Sequence, residues 1–168
     1  MSLDLYVPDA TLEPCPDRPV LLMVHGGAWI VGQKEWMDAR ARFHARRGLV
    51  VATIDYRKTD QGALCSGDGW NRAAYRAMQD VNAAIQALVA DADQHAIDTA
   101  AIFLYGNSAG AMTTLNLALT SDAAVAAVFP NLVADEGTLD AQSLHPGTPY
   151  EVRAMYTQAG AALDDALI

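Results

Sequence analysis

A serine between two glycines is the first residue whose surroundings indicate chemistry. Gly106-Asn107-Ser108-Ala109-Gly110 follows four apolar residues at 102–105, which predict a buried strand, and an apolar stretch with helical spacing begins at Ala109. A strand-to-helix turn this tight predicts strained backbone at Ser108, and the two glycines leave room for neighbouring backbone. The hydroxyl of Ser108 is then held clear of the sheet, as a nucleophile requires. A Gly/Ser turn that only joins a strand to a helix is the alternative.

A second segment offers the groups that a nucleophilic serine needs. Acyl transfer requires hydrogen-bond donors aimed at the carbonyl oxygen that becomes negative in the tetrahedral intermediate. One donor is expected from the backbone N–H of Ala109, at the start of the helix. The others require a loop of unobstructed amides, and His25-Gly26-Gly27-Ala28-Trp29 directly follows an apolar run at 20–24. A glycine pair at the carboxyl end of a strand lies where open α/β sheets place their sites.

Strands and helices alternate along the chain and predict how these segments are positioned. Strands are predicted at 3–7, 20–24, 49–54 and 102–105, and helices at 34–47, after Asn71, from Ala109 to about 120, and from 150 to about 163. Residues 125–129 are a candidate for one more strand. Continuous apolar runs such as 20–24 are typical of parallel strands covered on both faces. We therefore expect an α/β fold with a mostly parallel sheet and helices on both faces.

Composition narrows the class of protein. The 168 residues suffice for one domain with a real core, and 52% of them are hydrophobic. The formal net charge of −9 argues against nucleic-acid binding, which requires clustered Lys and Arg. No run approaches the length of a membrane span, and the N-terminus lacks the pattern of a signal peptide. The chain as given is therefore expected in the cytoplasm, and secretion of a longer form is also open.

The residues that commonly bind metals or cofactors show no diagnostic spacing. Cys15 and Cys65 have neither metal-ligand spacing nor a C-x-x-C pattern. One disulfide between two loops and two unrelated thiols are both open. Nothing has the spacing of a metal site, a P-loop or a dinucleotide fingerprint, so no metal and no cofactor is predicted.

Taken together, these segments resemble the carboxylesterase and hormone-sensitive-lipase-like branch of the α/β-hydrolases. The resemblance rests on the loop at 25–29, on Asp55-Tyr56-Arg57 after the next strand, and on the serine turn at 106–110, and it covers about residues 3–120. It implies that Ser108 is the nucleophile of an esterase or lipase. It also implies an oxyanion hole formed by the backbone amides of Gly27, Ala28 and Ala109.

The same resemblance assigns supporting roles. Five motif residues are expected to support the site without reacting: His25, Gly26, Gly106, Asn107 and Gly110. Ala28 stands where the commoner HGGG pattern has a third glycine, but it still offers an N–H. Asn107 stands where many relatives carry an acid. Trp29, beside the oxyanion loop, is a candidate wall of the acyl pocket, whereas Trp36 and Trp70 are expected as core or helix-face anchors.

The acid and the histidine that should accompany the serine are not evident. In the resembled family both follow the serine, each on a loop after a later strand. After Ser108 the chain has a single histidine, His145, and three nearby acids precede it: Asp135, Glu136 and Asp140. His145 is a candidate general base, with a surface-loop histidine as the alternative. The chain resembles the N-terminal two-thirds of an esterase, so we expect a fold that is incomplete at its C-terminal end.

Two classes of function remain open on the sequence. The first is a serine hydrolase that cleaves small or medium carboxylic esters through an acyl-enzyme on Ser108, with the acid and histidine beyond Ile168 or in a second polypeptide. The second is a catalytically inactive hydrolase-like domain that binds a partner or ligand in the same cleft. A related peptidase or aryl-formamide hydrolase is a further alternative. Because an incomplete sheet ends in an unpaired strand, self-association or a complementing C-terminal segment is expected.

Overall fold

The computed structural model describes residues 1–9 and 15–163, which form a five-stranded sheet flanked by helices. The strands are β1 (Ser2–Tyr6), β2 (Arg18–Val24), β3 (Val50–Asp55), β4 (Ile97–Asn107) and β5 (Val152–Gln158). The α-helices are α1 (Asp38–Ala45), α2 (Gln61–Leu64), α3 (Gly69–Ala90), α4 (Ala92–His95), α5 (Ala109–Leu119), α6 (Asp122–Val128) and α7 (Pro130–Glu136). Short 3₁₀ helices at Lys34–Met37 and Leu139–Gln142 complete the described elements.

The sheet has the order β1-β3-β2-β4-β5, and only β1 runs against its neighbour. The expected mostly parallel α/β sheet is therefore confirmed. Because β2, β3 and β4 are parallel, their carboxyl ends lie along one edge of the sheet. The segments that follow them, at 25–29, 55–57 and 106–110, consequently meet at that edge.

Alternating side chains divide the interior into two unequal cores. On one face Val20, Leu22 and Val24 of β2 join the large core formed with α3 and α5. On the other face Leu21 and Met23 pack in a much smaller cluster beside α1. Helices thus lie on both faces, as expected, but the face that carries α1 is only partly covered.

The uncovered part of that face forms an open groove of about 780 Å³, here named the α1-face groove. It runs between α1 and β5 and is lined in part by Phe43, Phe103, Tyr105 and Tyr156. Two of these aromatic side chains are strongly exposed, Phe43 by 50% and Tyr156 by 63%. Among the described strands, β5 pairs with β4 alone, so its outer edge is open. Apolar surface and an open strand edge therefore lie side by side.

Two predictions after the serine turn are wrong. Residues 125–128 belong to α6 and Phe129 is its C-cap, so they form no strand; Ser121 caps the start of the helix by accepting a hydrogen bond from the Ala124 N–H at 3.3 Å. The helix predicted over 150–163 is instead β5, whose residues pair in parallel with residues 102–107 of β4. Smaller corrections concern α3, which begins at Gly69 and not after Asn71, and the predicted helix 34–47, which begins as a 3₁₀ turn.

The structure also answers expectations about the surface. Cys15 and Cys65 are free, exposed thiols. Trp36, expected to anchor the core or a helix face, is 56% exposed. Within the described residues, no single helix is long and apolar enough to cross a membrane. One helix pair, Ala109–Leu119 with Asp122–Val128, reaches that length and composition only jointly, across a bend of 110°.

Candidate active site

Ser108 lies in the turn between β4 and α5 with the backbone strain predicted for it. Its φ of 51° and ψ of −119° fall where residues other than glycine are rarely found. Its N–H donates to the Gln158 carbonyl oxygen at 2.7 Å, and its own carbonyl accepts the Met112 N–H at 3.0 Å. Within the described residues the exposed Ser108 hydroxyl has no hydrogen-bond partner. Its backbone is therefore fixed on both sides while its side chain stays accessible.

Neighbouring atoms approach both glycines of the turn too closely to leave room for a Cβ. A Cβ on Gly110 would lie 2.3 Å from the carbonyl oxygen of Val24, and one on Gly106 would lie 2.5 Å from the Thr114 hydroxyl. The first turn of α5 consequently starts directly against the end of β2. This packing brings the serine turn to the loop that leaves β2.

The oxyanion loop predicted at 25–29 has left-handed backbone at consecutive residues. Gly27 has a φ of 122°, Ala28 of 51° and Trp29 of 58°. The Gly27 carbonyl accepts the N–H groups of Ile30 and Val31, both at 3.0 Å, which closes a tight turn. Among the described residues, the N–H groups of Gly27 and Ala28 have no acceptor. The N–H of Ala109, the first residue of α5, has no partner within its helix.

The loop and the serine turn are in direct contact. A Cβ on Gly26 would lie 2.9 Å from the Asn107 carbonyl oxygen and 3.0 Å from the Ser108 Cβ. Gly26 therefore sets how closely the two segments approach. The structure thus brings together the residues expected to support the site, and it places the three predicted donor residues on the two segments that meet at Ser108.

His25 is fully buried beneath this loop. Its Nδ1 donates to the Gly26 carbonyl at 2.6 Å, and its ring stacks on Tyr56 with centroids 4.4 Å apart. Its Nε2 lies 3.3 Å from Asp55 Oδ1, a close contact that is poorly aligned for a hydrogen bond. Burial lowers the pKa of His25 below the ordinary value of 6.5, which favours the neutral imidazole. The enclosed ring of His25 therefore contacts the loop backbone through the Gly26 carbonyl, and its predicted supporting role stays a prediction.

Trp29 is also fully buried, and it joins the oxyanion loop to α5. Its indole Nε1 donates to the Thr113 hydroxyl at 3.0 Å, and its carbonyl accepts the Thr59 N–H at 2.8 Å. The ring meets Trp70 edge-on, with centroids 5.4 Å apart. The role predicted for Trp29, as a wall of the acyl pocket, stays a prediction. Thr113 was not anticipated from the sequence, where its position one helical turn after Ala109 was the only signal.

The segment after β3 is held in place at the same carboxyl end of the parallel strands. The Tyr56 hydroxyl donates to the His25 carbonyl at 3.1 Å. The Arg57 guanidinium contacts the carboxylate of Asp80 on α3 at 2.9 Å, and the Arg57 backbone N–H donates to the same carboxylate at 2.6 Å. Asp80 is buried, so this ion pair is a structural connection between β3 and α3. The side chains of Tyr56 and Arg57 therefore tie down the loop that follows β3.

His145 lies in the loop before β5, whereas Ser108 contacts the far, carboxyl end of that strand through Gln158. The described residues show no hydrogen bond between His145 and Ser108. Its preceding Asp140 is held by Asn82 and Gln86 of α3, both at 2.8 Å. Although burial opposes it, these hydrogen bonds hold the pKa of Asp140 below its ordinary value.

The two other candidate acids, at the end of α7, are engaged in ion pairs. Asp135 pairs with Arg72, and Glu136 pairs with both Arg72 and Arg76, at distances of 2.6–2.8 Å. Hydrogen bonding by Arg76 and Arg72 outweighs partial burial and lowers the pKa of Glu136. The candidate acids therefore have structural partners on α3, and the role of His145 as a base stays a prediction.

Sheet order, strained serine turn and adjoining amide loop define an α/β-hydrolase. The chain belongs to the BD-FAE family, whose model matches residues 3–143.

Named relatives and solved structures agree with this assignment. A probable isoprenylcysteine alpha-carbonyl methylesterase of Oryza sativa is 36% identical over 109 residues, covering 65% of this chain and 23% of the relative. Carboxylesterase 3B of Mus musculus is 31% identical over 120 residues, covering 71% of this chain and 20% of the relative. A thermophilic esterase of Thermogutta terrifontis, solved with butyrate bound, superposes with a TM-score of 0.70 at 20% identity, covering 94% of this chain and 48% of its own.

These comparisons also show a difference in length. The matched part of the chain spans about a fifth of the length of the curated relatives. It spans about half of the esterase whose fold it shares.

Proposed function

We propose that this chain carries the nucleophile and the oxyanion hole of a serine hydrolase acting on carboxylic esters. The observation that carries the proposal is the junction of Ser108 with the loop at residues 26–28. An accessible hydroxyl on a strained turn adjoins backbone N–H groups that lack acceptors among the described residues. A turn that merely connected β4 to α5 would need neither feature. Membership of the family and the esterase names of the relatives support the same chemistry.

In the proposed reaction, the Ser108 Oγ attacks the ester carbonyl carbon and passes its proton to a general base. The carbonyl oxygen becomes an oxyanion that accepts hydrogen bonds from the N–H groups of Gly27, Ala28 and Ala109. Each such donor contributes about 10²–10³-fold to the rate in acyl-transfer enzymes. The alcohol leaves with the proton from the base, and water then hydrolyses the acyl-enzyme, releasing the acid and restoring Ser108.

The general base is the part of this machinery that the described residues do not bring to Ser108. We propose that the base and its acid are contributed by polypeptide outside residues 1–168, either a C-terminal continuation or a second chain. Two observations support this proposal. In the described residues His145 is hydrogen-bonded to Ser143 and not to Ser108, and the Thermogutta esterase of the same fold is about twice as long as this chain. His145 of this chain is the alternative base.

We propose that this polypeptide binds at the open edge of β5 and in the α1-face groove. A further strand would satisfy the unpaired backbone groups of β5, and a helix following it would cover the exposed rings of Phe43 and Tyr156. Without such cover, we expect the same surface to cause self-association. The fold is accordingly proposed to be one hydrolase domain that is incomplete in this chain.

Small esters are the proposed substrates. The rice relative is named a methylesterase, and the Thermogutta esterase was solved with butyrate, so short acyl or alcohol groups are the first to test. Amides of matching size, assayed beside the esters, separate an esterase from a peptidase or formamidase of the same fold.

The decisive experiment is intact-mass analysis after exposure to a fluorophosphonate, with Ser108→Ala and His145→Ala as matched variants. Such a probe phosphonylates a serine that has both an oxyanion hole and a base. A single adduct that is lost in Ser108→Ala supports the nucleophile and indicates a base within this chain, and loss in His145→Ala as well would identify it. No adduct from folded protein contradicts an activated serine in this chain alone and favours a base supplied from outside.

A further inference from the structure

The Thr113 hydroxyl bridges the two segments that are proposed to form the oxyanion hole. It accepts the indole N–H of Trp29 at 3.0 Å and donates to the carbonyl oxygen of Ala109 at 2.8 Å. A hydroxyl has one proton to donate and lone pairs to accept, so both capacities of this group are used. Trp29 directly follows Ala28 in the oxyanion loop, and Ala109 directly follows Ser108. One buried hydroxyl is therefore connected to both sides of the site.

The bridge connects to backbone that is held in a strained conformation. Ala28 and Trp29 both have positive φ, a conformation that is unfavourable for non-glycine residues unless the surroundings fix it. Three contacts fix Trp29: the hydrogen bond to Thr113, the Thr59 N–H on its carbonyl, and the edge of Trp70. Of these contacts, only the first joins the loop to the helix that starts at Ala109.

Burial strengthens this link. Trp29 and Thr113 are both 0% exposed, so water does not compete for their hydrogen bond. Loss of the hydroxyl would leave the indole N–H buried without an acceptor, and the ring would shift to find one. A shift of the ring would carry the adjoining Ala28 N–H away from the place where the oxyanion forms.

We propose that Thr113 is a positioning residue that sets the distance between the oxyanion donors of the loop and that of α5. This inference rests on the proposed function for its catalytic consequence, but its structural content does not. Thr113 touches no reacting atom and acts through Trp29 and Ala109.

The neighbouring threonine provides a matched control. Thr114 is equally buried, and its single hydroxyl proton is shared between the Gly110 and Ala111 carbonyls within α5, without contact to the loop. Thr113→Val and Thr114→Val each remove one helix-bound hydroxyl at nearly constant volume, but only the first breaks the bridge. Thr113→Ser restores the hydroxyl, and Trp29→Phe removes the indole donor from the other side.

The first measurement is the backbone amide and indole NMR spectrum of the chain, which requires no catalytic activity. We expect Thr113→Val and Trp29→Phe to shift the amide resonances of Gly27, Ala28 and Ala109. Thr114→Val should leave the Gly27 and Ala28 resonances in place, and Thr113→Ser should restore all three. Unchanged loop amides in Thr113→Val or Trp29→Phe would overturn the proposal.

The second measurement is the rate of fluorophosphonate labelling and the hydrolysis of a small ester. We expect Thr113→Val to lower the labelling rate and kcat about 10- to 100-fold with little change in KM, a fraction of the loss expected for a whole oxyanion donor. Thr113→Ser and Thr114→Val should stay within about threefold of the unmodified chain, because the bridge persists. Equal rates for the two valine variants would contradict the inference. Because the base is proposed to lie outside this chain, absence of labelling in the unmodified chain would agree with the proposed function, and the NMR comparison alone would then decide the role of Thr113.

Discussion

Gly26 faces Ser108 so closely that a methyl group on its Cα would lie 3.0 Å from the serine Cβ and 2.9 Å from the Asn107 carbonyl oxygen. These two residues are more than eighty positions apart in the chain, and their contact is where the end of β2 meets the end of β4. The absence of a side chain at residue 26 therefore matters to the position of residue 108.

Gly26→Ala is expected to separate the oxyanion loop from the serine turn. Because the atoms that its methyl group meets include backbone, the strain should lower the free energy of unfolding by about 1–3 kcal/mol. Urea denaturation would measure it. Gly62→Ala is the control, since its added methyl meets only the far end of Asp60, at 3.1 Å. Equal stability of the two variants would show that the contact is looser than described.

Arg57→Ala is expected to lower the free energy of unfolding much more than the loss of a surface ion pair would. It leaves the buried carboxylate of Asp80 with the backbone N–H of residue 57 as its remaining described donor. Since Arg57 itself is about one-third exposed, we expect a loss of about 2–3 kcal/mol, somewhat less than for a fully buried pair. Arg153→Ala breaks the exposed pair with Glu151 and should change stability by less than about 0.5 kcal/mol. A similar cost for both substitutions in urea melts would argue against a structural role of the buried pair.

Acidification is expected to destabilise the fold through His25 before it affects the carboxylates. The folded-state pKa of His25 lies below the unfolded value of 6.5, because burial disfavours the charged ring. The unfolded chain therefore binds a proton first, and stability falls as the pH drops below about 6.5, by up to 1.4 kcal/mol per pH unit. Glu136 and Asp140, with lowered pKa values, add losses only at still lower pH.

The measurement for His25 is the urea midpoint between pH 7.5 and pH 5, compared with His25→Gln. The variant should lose the pH dependence above pH 5, whatever its stability at neutral pH. An unchanged slope in the variant would assign the effect to other groups.

Self-association is expected to depend on the α1-face groove and the β5 edge. Tyr156→Lys places a charge on the exposed face of β5 beside the groove and should shift the chain toward monomer. Leu144→Lys is the control, because Leu144 is 91% exposed but lies outside the groove lining. Light scattering at high concentration is the measurement. A compact monomer in the unmodified chain would count against an incomplete sheet.

Local sequence determined the serine turn and the loop beside it. The two glycines around Ser108 and the glycine pair after His25 make close approaches or backbone conformations that a Cβ would obstruct, so residue type alone indicates them. Continuous apolar runs likewise identified β2, β3 and the last part of β4, since a strand covered on both faces has no polar alternation.

Tertiary structure decided what the chain does after α5. Residues 152–158 form a strand because β4 offers an unpaired edge there, and that pairing overrides a local pattern that suits a helix. The polar residues of α3 that hold the loop before β5, among them Asn82 and Gln86, gave no signal in the sequence. Buried polar groups acquire partners only when distant segments pack together.

The same division applies to the site. The sequence by itself indicated the nucleophile candidate Ser108, the proposed donors of the oxyanion loop and the proposed class of chemistry, because these depend on backbone geometry over a few residues. Only the tertiary structure decided that His25 is enclosed, that His145 lies before β5 and that Thr113 bridges Trp29 to Ala109. Such relationships join residues far apart in the chain, and their distances follow from the packing of whole strands and helices.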